Sequence, residues 1–264
     1  MSQASAQRVV VAIDDAGAAA GAVDAAVQLA VALDARLMAL FLENADLVRA
    51  AGLPFLRETG AVSGTVRPMA STAMLRTLRA HAEQVRAAVA TAAEASGLAW
   101  QFEVVRGPRL AVMCATREAL DLIVLGQAAG HALPGVFSTA FPIDTPSEDR
   151  PVAVTVRDVP SARRALQAAH ALAVACNAPL LFLLCGHGGQ RIRWLREFAN
   201  QALGGAPLRA EYVTLPDWNT QAVVAAAHQH RARLLVCCDG DLRRDPQRLE
   251  ALLARVRCPL VVAD

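Results

Sequence analysis

Two stretches of this chain open in the same way. Arg8-Val-Val-Val-Ala-Ile-Asp14 is an apolar run closed by an acid. Pro151-Val-Ala-Val-Thr-Val156 repeats it and is followed by Arg157-Asp158. A short, unbroken apolar run reads as a strand buried on both faces, the habit of parallel sheets covered by helices. Each run leads into an Ala-rich stretch and then a second apolar run. In the first half these are Ala16 to Asp34, with Val23, Val27, Ala30 and Val31 at helical spacing, and Ala35-Arg-Leu-Met-Ala-Leu-Phe-Leu-Glu43. In the second they are Ser161 to Asn177, with Ser161 the expected N-cap, and Ala178 to Cys185. Strand, helix, strand at this length is a right-handed βαβ unit.

The halves continue in parallel. After Glu43, residues 44–71 are broken by Gly52, Pro54, Gly60, Gly64 and Pro68. They read as a surface loop with a short helix over Asp46–Ala51. A helix from Thr72 to Ser96 stops at Gly97. A strand over Leu98–Val105, a helix over Arg109–Ala119 and a strand over Asp121-Leu-Ile-Val-Leu-Gly126 follow. The second half has helices at Gln190–Leu203, Thr220–Ala232 and Pro246–Val256. Its strands are Leu208–Leu215, Leu234–Cys238 and Cys258–Val262. One order of elements written twice, at a period of roughly 140 residues, is a domain duplication. Alternating strands and helices make an open sheet with helices on both faces, and ligands bind such sheets beyond the strand carboxyl ends.

The copies differ at one place. Between Gly126 and Pro151 the chain is rich in Pro, Gly, Ser and Thr, so the first half's last helix and strand are degraded. Val136-Phe-Ser-Thr-Ala-Phe141 is the one candidate for a substitute strand. Without it, strand 121–126 has an open edge that the second half or another chain must cover.

The 264 residues divide into domains at 1–145 and 146–264, with 140–150 as the linker. Apolar residues are 55% and aromatics only 4%, which suits tightly packed helix-on-sheet layers. A net charge of +2 gives no electrostatic case for nucleic acid. The N-terminus lacks the order of a signal peptide, and no apolar run reaches membrane-helix length. The expectation is a cytoplasmic protein without stable membrane insertion. Cysteines at 114, 176, 185, 237, 238 and 258 lack a paired framework and read as reduced thiols.

Taken together, Val9-Val-Val-Ala-Ile-Asp14 before an Ala-rich helix, Asp121-Leu-Ile-Val-Leu-Gly126, and the closing Cys258-Pro-Leu-Val-Val262 resemble the universal stress proteins. The repeat of the opening unit at Pro151–Cys185 extends the resemblance over most of the chain, to a tandem member. The segment Asp46–Glu58 is similar to one in bacterial tandem members. The resemblance implies an α/β fold of two Rossmann-like domains, of the adenine nucleotide alpha hydrolase-like kind, each a mostly parallel sheet flanked by helices. It also implies that the halves pack together as a pseudo-dimer, since family dimers pair through the edge that corresponds to the open one here, with a homodimer of whole chains open.

In ATP-binding members of that family an Asp ends the first strand near adenine. A loop Gly-x2-Gly-x9-Gly-Ser/Thr after the fourth strand holds ribose and phosphates, because glycines let backbone amides approach phosphate. Asp14 matches the first element. The loop here carries Gly126, Gly130, Gly135, Ser138 and Thr139 at altered spacing. In the second half Asp158 stands at the matching strand end. Asp239-Gly240-Asp241-Leu-Arg-Arg-Asp245-Pro246 follows the fourth strand, with Gly240 facing three acids, so that loop reads as a cap on the next helix.

Other constellations read as structure. Cys185-Gly-His187 and Cys238-Asp239 lack paired metal-ligand spacing. His228 and His230 sit two apart on a helix and face different ways. Cys237-Cys238 alternate across a strand and pack, and one of Asp14-Asp15 is expected to cap the first helix. Trp194, in Arg191-Ile-Arg-Trp-Leu-Arg196, is expected to lie on the sheet; its other reading is a basic face toward a partner or an acidic membrane. Neither Gly-x-Ser-x-Gly nor Gly-x-Gly-x-x-Gly occurs. The expectation is therefore no catalytic residues, no metal and no enzyme. It is a stress-associated regulatory or scaffolding protein with degenerate nucleotide sites, no bound cofactor and an unidentified protein partner. The alternatives are ATP or AMP in the first half, or a sensor of another small molecule with residues 44–71 as a lid.

Overall fold

The computed structural model describes residues 8–14, 19–43, 48–50, 53, 57–59, 64–68, 71–107, 122–126, 150–157, 159–202, 208–238, 242 and 245–263. The first half supplies β1 (Arg8–Ile13), α1 (Ala19–Ala32), β2 (Arg36–Glu43), β3 (Arg57–Thr59), β4 (Val66–Pro68), α2 (Ser71–Ala95), β5 (Trp100–Arg106) and β6 (Leu122–Leu125). The second supplies β7 (Val152–Val156), α3 (Val159–Ala175), β8 (Leu180–Cys185), α4 (Gly189–Ala202), β9 (Ala210–Leu215), α5 (Thr220–Gln229), β10 (Leu234–Cys237), α6 (Pro246–Leu253) and β11 (Leu260–Val262). The expected helix 109–119, the substitute strand 136–141 and the boundary at 145/146 lie outside the described residues.

Nine strands form one sheet in the order β5-β2-β1-β6-β11-β10-β7-β8-β9. Read outward from the centre, β6-β1-β2-β5 and β10-β7-β8-β9 are the same arrangement. Neighbouring strands are parallel except at one junction. There β11 runs antiparallel to β6, with Leu260, Val261 and Val262 opposite Leu125, Val124 and Ile123. The edge that the first half leaves open is thus filled by the second half's last strand.

Alternation along each strand sends side chains to two layers. Val9, Val11 and Ile13 join the layer with α1 and α3. Val10 and Ala12 join the layer that includes α5 and α6 in the second half. On the first of these faces α1 and α3 pack against each other across the junction. A Cβ at Gly21 on α1 would stand 3.5 Å from Pro259 Cγ, just before β11. Cys176 Sγ, just after α3, donates to Gln28 Oε1 of α1 at 2.7 Å.

The duplication extends to the turns. Asp34 and Asn177 both take left-handed backbone, at φ 49° and 48°. Behind them Ala35 N–H bonds Ala30 O, and Ala178 N–H bonds Ala173 O, each at 2.9 Å. This satisfies carbonyls that a helix end leaves open. Asp and Asn tolerate the conformation because their short polar side chains bond locally. Asp34→Val should lower stability by about 1 kcal/mol. Thermal melting would show it, and an unchanged melting temperature would refute it.

Two expectations need correction. Arg57–Thr59 and Val66–Pro68 pair as two short antiparallel strands, where only loop was expected. Residues 48–50 are helical, and Val48 packs on Met74 and Leu78 of α2. Ser161 lies in the first turn of α3, which starts at Val159, and so does not cap it.

Candidate functional site

In the first half the chain proceeds from β1 to β2 to β5 on one side, then returns to place β6 on the other. The reversal falls between β1 and β6, the place where open α/β sheets bind ligands. Ala12 pairs with Leu125, so Asp14 and Gly126 emerge side by side at the carboxyl ends of these two strands. Gly126 N–H reaches Ala12 O at 3.4 Å. Two of the sequence-predicted residues are therefore brought together. Gly130, Gly135, Ser138 and Thr139 lie outside the described residues.

The second half has the equivalent reversal between β7 and β10. Val9 faces Leu37 and Leu122, and Val152 faces Leu180 and Leu234, which fixes the equivalences. Asp14 corresponds to Arg157, Ala12 to Thr155 and Gly126 to Cys238. Asp158, expected at the Asp14 position, is one residue too late and lies outside the described residues. Thr155 is wholly buried. Its Oγ1 accepts Cys238 N–H at 3.2 Å and lies 3.8 Å from Cys238 Sγ. A hydroxyl and a thiol thus occupy the crevice that Ala12 and Gly126 leave small-sided in the first half. Beyond β10, Asp245 caps α6 as expected, accepting Arg248 N–H at 3.1 Å.

Two features at this end of the sheet escaped the sequence reading. At the end of β2, Glu43 is buried and paired with Arg106 at the end of β5. Arg106 Nε and Nη2 reach its Oε2 at 3.0 and 2.9 Å. The signal was an apolar run that closes on an acid. The second feature is a cleft of about 410 Å³ lined by Gly186, His187, Gly188, Gly189, Ile192, Thr214 and Pro216. Its signal was three glycines among four residues between a strand and a helix. Gly188 has φ 84°. A Cβ at Gly186 would press on Arg191, 3.1 Å from its Cδ. Arg191 is held across it, with Nη2 donating to Arg157 O at 3.0 Å.

The cysteines pack rather than gather. Cys185 and Cys238 belong to β8 and to the residue after β10, strands separated by β7. Cys237 and Cys238 enter opposite layers. Burial pushes the Cys258 thiol up to about 12, only partly offset by Arg150. Burial also raises Cys176, which is half-buried. Thiolate is the reactive form. Iodoacetamide at neutral pH should therefore label Cys176 ahead of Cys185, Cys237, Cys238 and Cys258. Peptide mass mapping would check the order; Cys258 reacting as fast as Cys176 would contradict it. His228 and His230 stay apart in role. Burial, then Arg257, holds the His228 imidazole below its usual value, while His230 Nδ1 lies 3.4 Å from Glu211 Oε2. Among the described residues no group of three His, Cys, Asp or Glu side chains is placed to hold a metal ion. Among them, too, no helix is long and apolar enough to cross a membrane.

No protein-family model and no curated protein sequence matches the chain. Solved structures do. A universal stress protein from Archaeoglobus fulgidus superposes with a TM-score of 0.54 at 12% identity, over 97% of this chain and 95% of that one. A putative universal stress protein from Pseudomonas aeruginosa gives 0.50 at 12% identity, over 98% and 93%. The cytoplasmic domain of a prokaryotic cation chloride cotransporter gives 0.50 at 11% identity, over 98% and 95%. The matches run through both halves and the bridging strand together, so the fold of this chain is, along its length, that of the universal stress proteins.

Proposed function

We propose that this chain is a non-catalytic, stress-associated regulatory or scaffolding protein of the cytoplasm, built as a pseudo-dimer of two units, in which nucleotide sites have decayed. The observation that carries the reading is the second reversal point. Approach of a phosphate needs bare backbone, which glycine provides. There Cys238 stands in the glycine position, Arg157 in the aspartate position, and the Thr155 hydroxyl takes the Cys238 amide. The fold, which universal stress proteins share, supports the stress-associated part of the reading.

One observation favours a second reading, ATP or AMP in the first half. Asp14 and Gly126 stand together at a reversal point, flanked by a small Ala12. Gly130, Gly135, Ser138 and Thr139 would then hold ribose and phosphates. Thermal shift with ATP and magnesium separates the readings. A ligand at about 100 times its dissociation constant adds about 2.7 kcal/mol of stability. The leading reading expects no shift at millimolar ATP. A shift abolished by Asp14→Ala would establish the alternative, and turnover of a metabolite would reject the non-catalytic role.

A further inference from the structure

We propose that the outer face of α4 docks an acidic segment of a partner protein. This surface gives the scaffolding role above a place to act and rests on that role.

Helix α4 lies at the β8–β9 end of the sheet and buries only Leu195 and Ala199. Trp194 does not lie on the sheet, as its sequence had suggested. It is 49% exposed and stacks on Phe198, with ring centroids 6.5 Å apart. Arg191, Arg193 and Arg196 are exposed on the same helix. From Arg157 to Glu197 the chain carries six arginines against two acids, a net of +4 in a protein whose total is +2. The remainder is therefore net acidic, and positive charge is concentrated on α3, α4 and their approaches. An anionic partner complements this face, and complementary charge steers encounter.

The arrangement favours a polypeptide over a lipid surface. Each arginine side chain has a contact with the protein. Arg191 is tied to Arg157 O, Arg193 Nε reaches Gly189 O at 3.3 Å, and Arg196 lies 4.4 Å above the Tyr212 ring. Guanidinium forks match the planar geometry of carboxylates. A fluid headgroup layer asks for charge alone. The Trp194 ring stacks on Phe198 at an interplanar angle of 22°, and this contact partly occupies it. A shallow depression lined by Gly186, His187, Gly188 and Gly189 adjoins the start of α4. Exposed Trp and Arg side by side is also the composition of protein–protein hot spots.

The test uses a short fluorescein-labelled peptide of alternating Glu and Asp with one central Leu, read by anisotropy at low salt. Phosphatidylserine vesicles are titrated in parallel. The peptide should bind, and added salt should weaken it. Arg193→Glu and Trp194→Ala should each weaken it by about tenfold or more. Arg76→Glu, on exposed α2 surface, should not. Both α4 positions face solvent, so circular dichroism should report intact folding. Should Trp194→Ala melt early, Trp194→Gln carries the same comparison. Absence of peptide binding overturns the proposal, as does binding insensitive to both α4 variants. Vesicle binding without peptide binding would assign the face to a membrane, and self-association abolished by Arg193→Glu would assign it to a second copy; either overturns the proposal. A failed peptide titration rejects this surface alone, whereas measured turnover rejects the underlying role.

Discussion

A chain stopped at Arg257 should lose the cooperative fold of both halves, although it lacks only the final strand. Leu260, Val261, Val262 and Ala263 are each 0% exposed. Burying a large aliphatic side chain contributes about 1.5–3 kcal/mol, so the three larger ones together contribute about 5 kcal/mol or more. A whole domain is stable by about 5–15 kcal/mol. The position of β11 enlarges the effect. It pairs with β10 in parallel and with β6 antiparallel, and so joins the two sets of strands. Its loss bares two inner edges at once, and bare edges invite association. Thermal unfolding by circular dichroism, with size-exclusion chromatography, should show an early or absent transition and aggregation. Val261→Asp tests the same point without truncation, since it places a carboxylate inside the layer that α1 and α3 share. A folded monomer melting within a few degrees of the intact chain would refute the role assigned to β11.

That role was half legible beforehand. The Pro- and Gly-rich stretch after Gly126 announces that β6 lacks a partner from its own half. Nothing in a three-residue Leu-Val-Val run says which edge it will cover, because short apolar strands carry no code for their neighbours. The βαβ units were legible for the opposite reason. Runs such as Val9 to Ile13 are apolar on both faces, and only a sheet covered on both sides satisfies them. The pairing of Arg57–Thr59 with Val66–Pro68 offers no such signal, since its strands are three residues long and one ends in proline. Trp194 misled for a geometric reason. It adjoins buried Leu195, and one residue turns a helix by about 100°, enough to move a side chain from core to solvent. At the candidate site, Asp14 and Gly126 were readable because acids and glycines punctuate strand ends. The match of Asp158 with Asp14 failed by a single residue. Only the pairing register fixes such a position, and a one-residue slip exchanges the faces of a strand.

Replacing Thr155 by Val should destabilise the protein by about 1–3 kcal/mol with almost no change of shape, because it removes a buried hydroxyl that accepts the Cys238 N–H. Thr155 is 0% exposed, and its Oγ1 accepts the Cys238 N–H at 3.2 Å. Valine exchanges that oxygen for a methyl group that cannot accept, at a position that is 0% exposed. The direction of the change separates two accounts of the residue. If Thr155 is a remnant of a ligand site, its removal should be neutral or stabilising, since functional polar groups are commonly held at a cost in stability. If it is a plug that has taken over a vacated crevice, its removal should destabilise. The corresponding change in the first half, Ala12→Thr, tests the converse. Ala12 is buried, so the larger side chain should strain the packing there. In denaturant melts Thr155→Val should lower the midpoint without altering the slope, the mark of lost stability rather than altered compactness. A midpoint equal to or above that of the parent would show that the second reversal point is not sealed by this hydrogen bond, and would remove the main support for a decayed site.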